Sequence, residues 1–261
     1  NYSEAVIKIF KSSYSGSFFG DQIKILKSRK IDNVNMRDTL SVRLKAGLST
    51  CLELDGVRNH FDFISRASMP EYRYSISDIV SYEDESAYVI DFEQREYAEQ
   101  ALYRGSLYIN ALDYAILHAG FEVNPKYLGR MKSSFISSTS RGYDTWPQSV
   151  KYTVSYRRYS NRYFLNHVRG DLVFISKQKR KLFNTQFRVF FELAVTGIET
   201  EGVTRFDREE LAPIHSVFSR TIKSYDSKFW ENQDFLKPEE NLLQALKNMN
   251  VRLGEFTGDD Q

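Results

Sequence analysis

Four histidines, a single cysteine and several acidic pairs are the residues of this chain with chemistry to offer, so their spacing decides which reactions are open to it. His60, His118, His167 and His215 lie far apart, without the i, i+2 or i, i+4 spacing of a local metal site, and ordinary core or surface roles outweigh ligation. His118 and His167 both fall on expected strands, so a zinc or proton-transfer pair, or a hydrolase built on them with nearby acids, depends on their converging in space. Gly47-Leu48-Ser49-Thr50-Cys51 approaches a nucleophile elbow but ends in Cys and lies in a helical pattern. No glycine-rich phosphate loop with a following lysine is present. Cys51 sits on an apolar stripe, which points to a buried, inert thiol rather than an activated one. Asp91 and Glu93 share a strand face as catalytic carboxylates do, yet alternating acids also line the solvated face of any antiparallel sheet. Glu83-Asp84-Glu85 reads as a solvated turn. The sequence therefore nominates no catalytic residue, no cofactor-binding residue and no metal ligand, and no enzyme is expected.

The 36 basic and 34 acidic residues leave a net charge of +2, too small for a field that gathers nucleic acid or anionic lipid. Arg157-Arg158, Arg162 and the run 177–181 stand beside Tyr156, Tyr159 and Tyr163 like a stacking surface for single strands. Charged guards at exposed hairpin ends have the same composition, and nucleic acid is not the expected partner. One cysteine excludes an intrachain disulfide framework. No run of 18 apolar residues exists for a spanning helix, and the first residues lack the pattern of a signal peptide. A transmembrane β-barrel fits poorly, because charge falls on both strand faces, as with Lys151, Arg157, Arg188 and Glu192, and helical segments flank the strands.

The elements that must position these groups follow from periodicity. Residues 3–14 bring Val6, Ile9, Phe10 and Tyr14 to one helical face, and residues 38–52 do the same with Leu40, Leu44, Leu48, Cys51 and Leu52. Residues 21–31 fit neither period. From Glu71 the period becomes two: Tyr72, Tyr74 and Ile76, then Tyr88, Ile90 and Phe92, then strands over 102–110 and 114–123 that pair antiparallel. A long loop is expected over 126–147, a hairpin of 150–157 with 162–168 about Tyr159-Ser160-Asn161, and a separate strand over 172–176. Phe187, Val189, Phe191, Leu193 and Val195 then share one face of a long strand. Pro238, Glu239 and Glu240 open a last helix, striped by Leu242, Leu246, Met249 and Leu253 and stopped at Gly254.

The order of segments resembles the region that follows the regulatory domain in Bacteroidota envelope proteins known as carboxypeptidase-like regulatory domain-containing proteins. The resemblance rests on Glu4-Ala5-Val6 to Tyr14, Ala87-Tyr88-Val89-Ile90-Asp91-Phe92 and Tyr103-Arg104-Gly105-Ser106-Leu107-Tyr108-Ile109-Asn110. Asp113-Tyr114-Ala115-Ile116 and Phe229-Trp230-Glu231-Asn232 before Leu236-Lys237-Pro238 extend it over most of the chain. The sheet series is also similar to the half-barrel of periplasmic lipoprotein carriers. The resemblance implies a periplasmic or outer-membrane-associated setting, no peptidase activity, and no particular binding residue.

The expectation is one α+β, β-dominated domain over 1–261: a helical part over 1–66, a curved antiparallel sheet like a half-barrel over 71–200, and a C-terminal segment over 205–254 carrying the last helix. Its expected role is non-catalytic, binding an envelope or outer-membrane protein partner or supporting an outer-membrane assembly. The alternative is a carrier of lipid or another apolar ligand under the curved sheet.

Overall fold

A computed structural model of the chain describes residues 2–12, 20–31, 42–44, 47–139, 141–179 and 181–213. The expected helix over 238–254 lies outside the described residues. Its centre is an antiparallel sheet built from β4 (Tyr72–Tyr82), β5 (Glu85–Gln94), β6 (Tyr103–Asn110), β7 (Ile116–Val123), β9 (Tyr143–Tyr159), β10 (Arg162–Gln178) and β11 (Asn184–Ala194). The 7 strands lie in the order β11-β10-β9-β7-β6-β5-β4 and the sheet stays open. The short β8 (Ile136–Thr139) leaves this series to pair with β3 (Val42–Leu44). The β-dominated fold class with short helices is thus as the sequence indicates.

The chain before the sheet differs from its expected helical character. Of the helix expected over 3–14, the described residues form none: Tyr2–Phe10 is strand β1, paired antiparallel with β2 (Gln22–Ile31). A short run such as Val6-Ile7-Lys8-Ile9-Phe10 satisfies helical spacing by being almost wholly apolar, and its β-branched residues then favour a strand once a partner is at hand. The partner is the segment whose period was ambiguous, with Ile7 facing Ile25 and Ile9 facing Ile23. Of the helix expected over 38–52, Leu48–Glu53 is helical as α1, while Val42–Leu44 is a strand. A second short helix, α2 (Gly56–Asn59), follows.

Inside the sheet two expectations change. Residues 126–147 are not one long loop: a 3-10 turn at Leu128–Met131, helix α3 (Lys132–Phe135), β8 and the start of β9 occupy them. The expected strands 162–168 and 172–176 are halves of one strand, β10. At Gly170, between those halves, the ring of Phe191 on β11 lies where a Cβ would be, so the aromatic supplies the apolar cover that glycine lacks. The hairpin turn at Ser160-Asn161 is as expected, with φ of 45° and 64°, and Glu83-Asp84 turns likewise with 46° and 67°.

One face of the sheet is filled. Tyr152, Val154 and Tyr156 of β9, Val168 and Leu172 of β10, and Phe121 and Val123 of β7 are buried there under α1, the turn at Asp62–Ile64 and α3. Phe63, 1% exposed, is at the middle, its centroid 4.0 Å from that of Phe92 and 5.0 Å from those of Phe61 and Phe121. A polar knot joins the β1–β2 ribbon to this core. Buried Asp55 accepts from Lys11 Nζ at 3.0 Å and from the Tyr156 hydroxyl at 3.2 Å, and Arg58 pairs with Asp21 at 2.9 Å. The segment after β11 returns along β2, where Ala212 N–H donates to the Ile23 carbonyl.

Candidate functional site

The opposite face of the sheet is polar, and its residues fall into cross-strand rows set by register. One row runs Arg73, Glu93, Arg104, Glu122, Lys151, Asp171 and alternates in sign from β4 to β10. Neighbours pair along it. Arg73 bonds Glu93, Arg104 Nε donates to Glu122 at 2.7 Å, Lys151 reaches Glu122 at 3.6 Å, and Arg188 and Arg169 converge on Asp171. Opposite charges facing each other across strands contribute about 0.2–1 kcal/mol each and pin the register. Burial pushes the Asp171 carboxyl upward, but hydrogen bonds from Arg169 and Arg188 outweigh it and hold the group below its usual range.

The next row is made of short side chains: Ser75, Asp91, Ser106, Gly120, Thr153. Ser106 donates to Asp91 at 2.5 Å, and Gly120 projects nothing. Long charged side chains on one flank and small residues in the middle leave a trough of about 840 Å³, walled by residues of β4, β5, β6, β7 and β9. Its floor is the sheet backbone around Gly105 and Gly120.

The third row contains Tyr108, His118, Ser155 and His167. The two histidines expected only to fall on strands are therefore brought together, one on each side of Ser155. Nδ1 of His118 lies 3.3 Å from the Tyr82 hydroxyl, and the ring leans along its strand so that Nε2 stands 3.5 Å from the position of a Cβ on Gly120. Burial lowers the His118 pKa, and the neighbouring His167 adds to the effect. Nε2 of His167 donates to Glu192 at 2.7 Å, and this bond holds the Glu192 carboxyl below its usual range.

A Ser, two His and a Glu in adjacent strands resemble the parts of a hydrolase, but nucleophile and base need a hydrogen bond between them. Among the described residues none joins Ser155 to either imidazole, and Ser155 is buried. Nor do three His, Cys, Asp or Glu side chains among the described residues stand close enough to share an ion. What the row places side by side is an imidazole and two phenol rings, His118 with Tyr82 and Tyr108.

No protein-family profile, curated protein or solved structure matches this chain.

The remaining sequence candidates are separated. Cys51 is buried in α1, where burial pushes the thiol up to about 12. Asp91 and Glu93 do share the open face, each held by a cross-strand partner, as a solvated sheet face requires. His60 ends α2, away from the other histidines, and His215 lies outside the described residues. The basic and aromatic residues about the β9–β10 turn form no stacking platform: Tyr156 points inward to Asp55, Tyr163 bonds Glu85, and Tyr159 packs its ring on Phe164. Sequence reasoning missed Arg104, Ser106, Gly120, Glu122 and Thr153. The alternation Arg104-x-Ser106-x-Tyr108 was visible, but only register shows which residues on other strands complete each row.

Proposed function

We propose that this chain is a non-catalytic binding domain of the bacterial envelope, and that the trough receives an extended segment of a protein partner. The small-residue row Ser106, Gly120, Thr153, sunk beside the charged row Arg104, Glu122, Lys151, carries the reading. A hollow with polar walls suits a peptide, whose main chain brings a donor and an acceptor at every residue. The trough charges are already paired with one another, so recognition here works through hydrogen bonds and shape rather than through net charge. A carrier of apolar ligands needs an apolar hollow, whereas the apolar face of this sheet is packed with the chain's own rings, Phe61, Phe63 and Phe135 among them. The observation favours a protein partner. The envelope setting and any role in an outer-membrane assembly rest on the sequence resemblance.

The test places a photo-crosslinking side chain at Thr153 in the trough and, as control, at exposed Leu182 on the turn before β11. The expected result is a discrete adduct from Thr153 that maps to one peptide of one partner, with none from Leu182, and that disappears in Gly120→Gln. That substitution fills the trough without a clash, since its Cβ meets only His118 at ordinary contact distance. Equal labelling from both positions, an adduct indifferent to Gly120→Gln, or a lipid retained in native mass spectrometry would overturn the reading.

A further inference from the structure

Strand β4 ends the sheet, and among the described residues it pairs with β5 alone. An uncovered edge is ordinarily blunted by brevity, by charged side chains, by proline or by a bulge. This one has 11 residues and no proline, its guards are Arg73, Asp78 and one bulge, and it leaves Ile76 68% exposed and Ile79 62% exposed. We infer that β4 pairs antiparallel with β4 of a second copy, across a two-fold axis at Ser75, making one continuous sheet through the dimer. The surface is self-complementary in that register, as a two-fold interface demands.

The bulge in β4 makes this possible. Register against β5 slips between Ile76 and Asp78, so Ser77 is the extra residue. In an unbroken strand Arg73 and Asp78 would point to opposite faces. With the bulge, Asp78 pairs with Val89 and Arg73 with Glu93, and both belong to the open face. Centring the axis on Ser75 then sets Arg73 against the partner's Asp78 on that face. It sets Tyr74, 38% exposed, against the partner's Ile76 on the other, while Tyr72 stays buried in the core of its own chain. Ser75 meets its own copy. The pairs nearest the axis are an ion pair, an aromatic with a β-branched residue, and two serines, which are combinations that stabilise antiparallel neighbours.

The alternating row gains its next member in the same step. Arg73 is its terminal cation, and the partner's Asp78 continues the sequence of signs. Arg73, Tyr74 and Ser75 also wall the trough. The dimer joins two troughs across the axis, with the partner's Asp78 in the wall of each. This inference does not depend on what the trough binds.

Sedimentation equilibrium of the full chain, without any partner, is the test, combined with oxidative crosslinking of Ser75→Cys. Residues facing across an antiparallel pair stand within reach of a disulfide, and buried Cys51 adds no background. The expected result is a reversible dimer that Ser75→Cys locks and Leu182→Cys, on the far side of the sheet, does not. Asp78→Arg and Ile76→Lys, both at exposed positions, should each weaken association at least tenfold, with an unchanged melting temperature at concentrations where the parent chain is monomeric. A chain that stays monomeric up to its solubility limit overturns the inference. So does a dimer that Ser75→Cys fails to lock, or one indifferent to both substitutions.

Discussion

Three glycines of the sheet supply a graded test of the geometry, because a methyl group added to each meets a different obstacle. On Gly105 the new Cβ would stand 2.1 Å from the Gly120 carbonyl oxygen and 2.7 Å from Cα of Phe121. Both are backbone atoms of the neighbouring strand, and relief requires β6 and β7 to separate at the floor of the trough. On Gly170 the obstacle is the Phe191 ring, 2.3 Å away at Cζ, which can swing aside at the loss of its own packing. On Gly120 the nearest atom is His118 Nε2 at 3.5 Å, an ordinary contact. Replacing glycine by alanine where nothing clashes stabilises by about 0.4–1 kcal/mol through the unfolded chain. Overpacking costs about 1–3 kcal/mol, more when backbone must move. Gly105→Ala should therefore lose about 3 kcal/mol, Gly170→Ala roughly 1–2 kcal/mol, and Gly120→Ala should be neutral or gain about 0.5 kcal/mol. Urea unfolding at constant m measures the series, and the melting temperature of Gly105→Ala should fall by roughly 6–12 °C. A Gly105→Ala chain within about 1 kcal/mol of the parent, or Gly120→Ala as the most damaging of the three, would refute the placement of the trough floor.

His118 makes the fold acid-sensitive. The unfolded chain takes a proton on this group near 6.5, while burial and His167 oppose it in the folded one. Its stabilising contribution is whole above that pH and is lost as pH falls toward the lowered folded value, so His118→Gln should narrow the gap in melting temperature between pH 7.5 and pH 5, and an unchanged gap would remove His118 as the cause. Glu192 and Asp171, both held below their usual ranges, act in the same direction further into acid, so the open face should loosen progressively rather than at one pH. Asp55→Ala should cost roughly 3 kcal/mol, at the low end for a broken buried pair because Lys11 keeps Asp21 at 3.2 Å. Hydrogen exchange should show the β1–β2 amides losing protection first; uniform loss over the chain would contradict the anchoring role. The Cys51 thiol, held up near 12, should react with an aromatic disulfide reagent at pH 8 only at the rate of unfolding, and stoichiometric labelling of the native chain within seconds would contradict its burial.

What the sequence determined alone was the sheet. Period-two alternation in the segments from Tyr72 to Val123 and from Val150 to Ala194 reflects a sheet with one dry face and one wet one, and that pattern is local: Phe187, Val189, Phe191 and Leu193 pack on the core as their spacing requires. Where a segment was apolar at nearly every position, as in β1, spacing could not separate helix from strand, and the partner β2 decided it. The trough lay beyond local reading altogether. Arg104 and Glu122 belong to different strands, and Ser106, Gly120 and Thr153 come together only through the register of β6, β7 and β9. The absence of a familiar motif was a property of the sequence, yet the meeting of His118 and His167 was a property of the fold. Register fixes which residues of distant segments share a row, and it depends on turns, bulges and packing at once. The alternating charges therefore became a row, and the small residues a hollow, only in three dimensions.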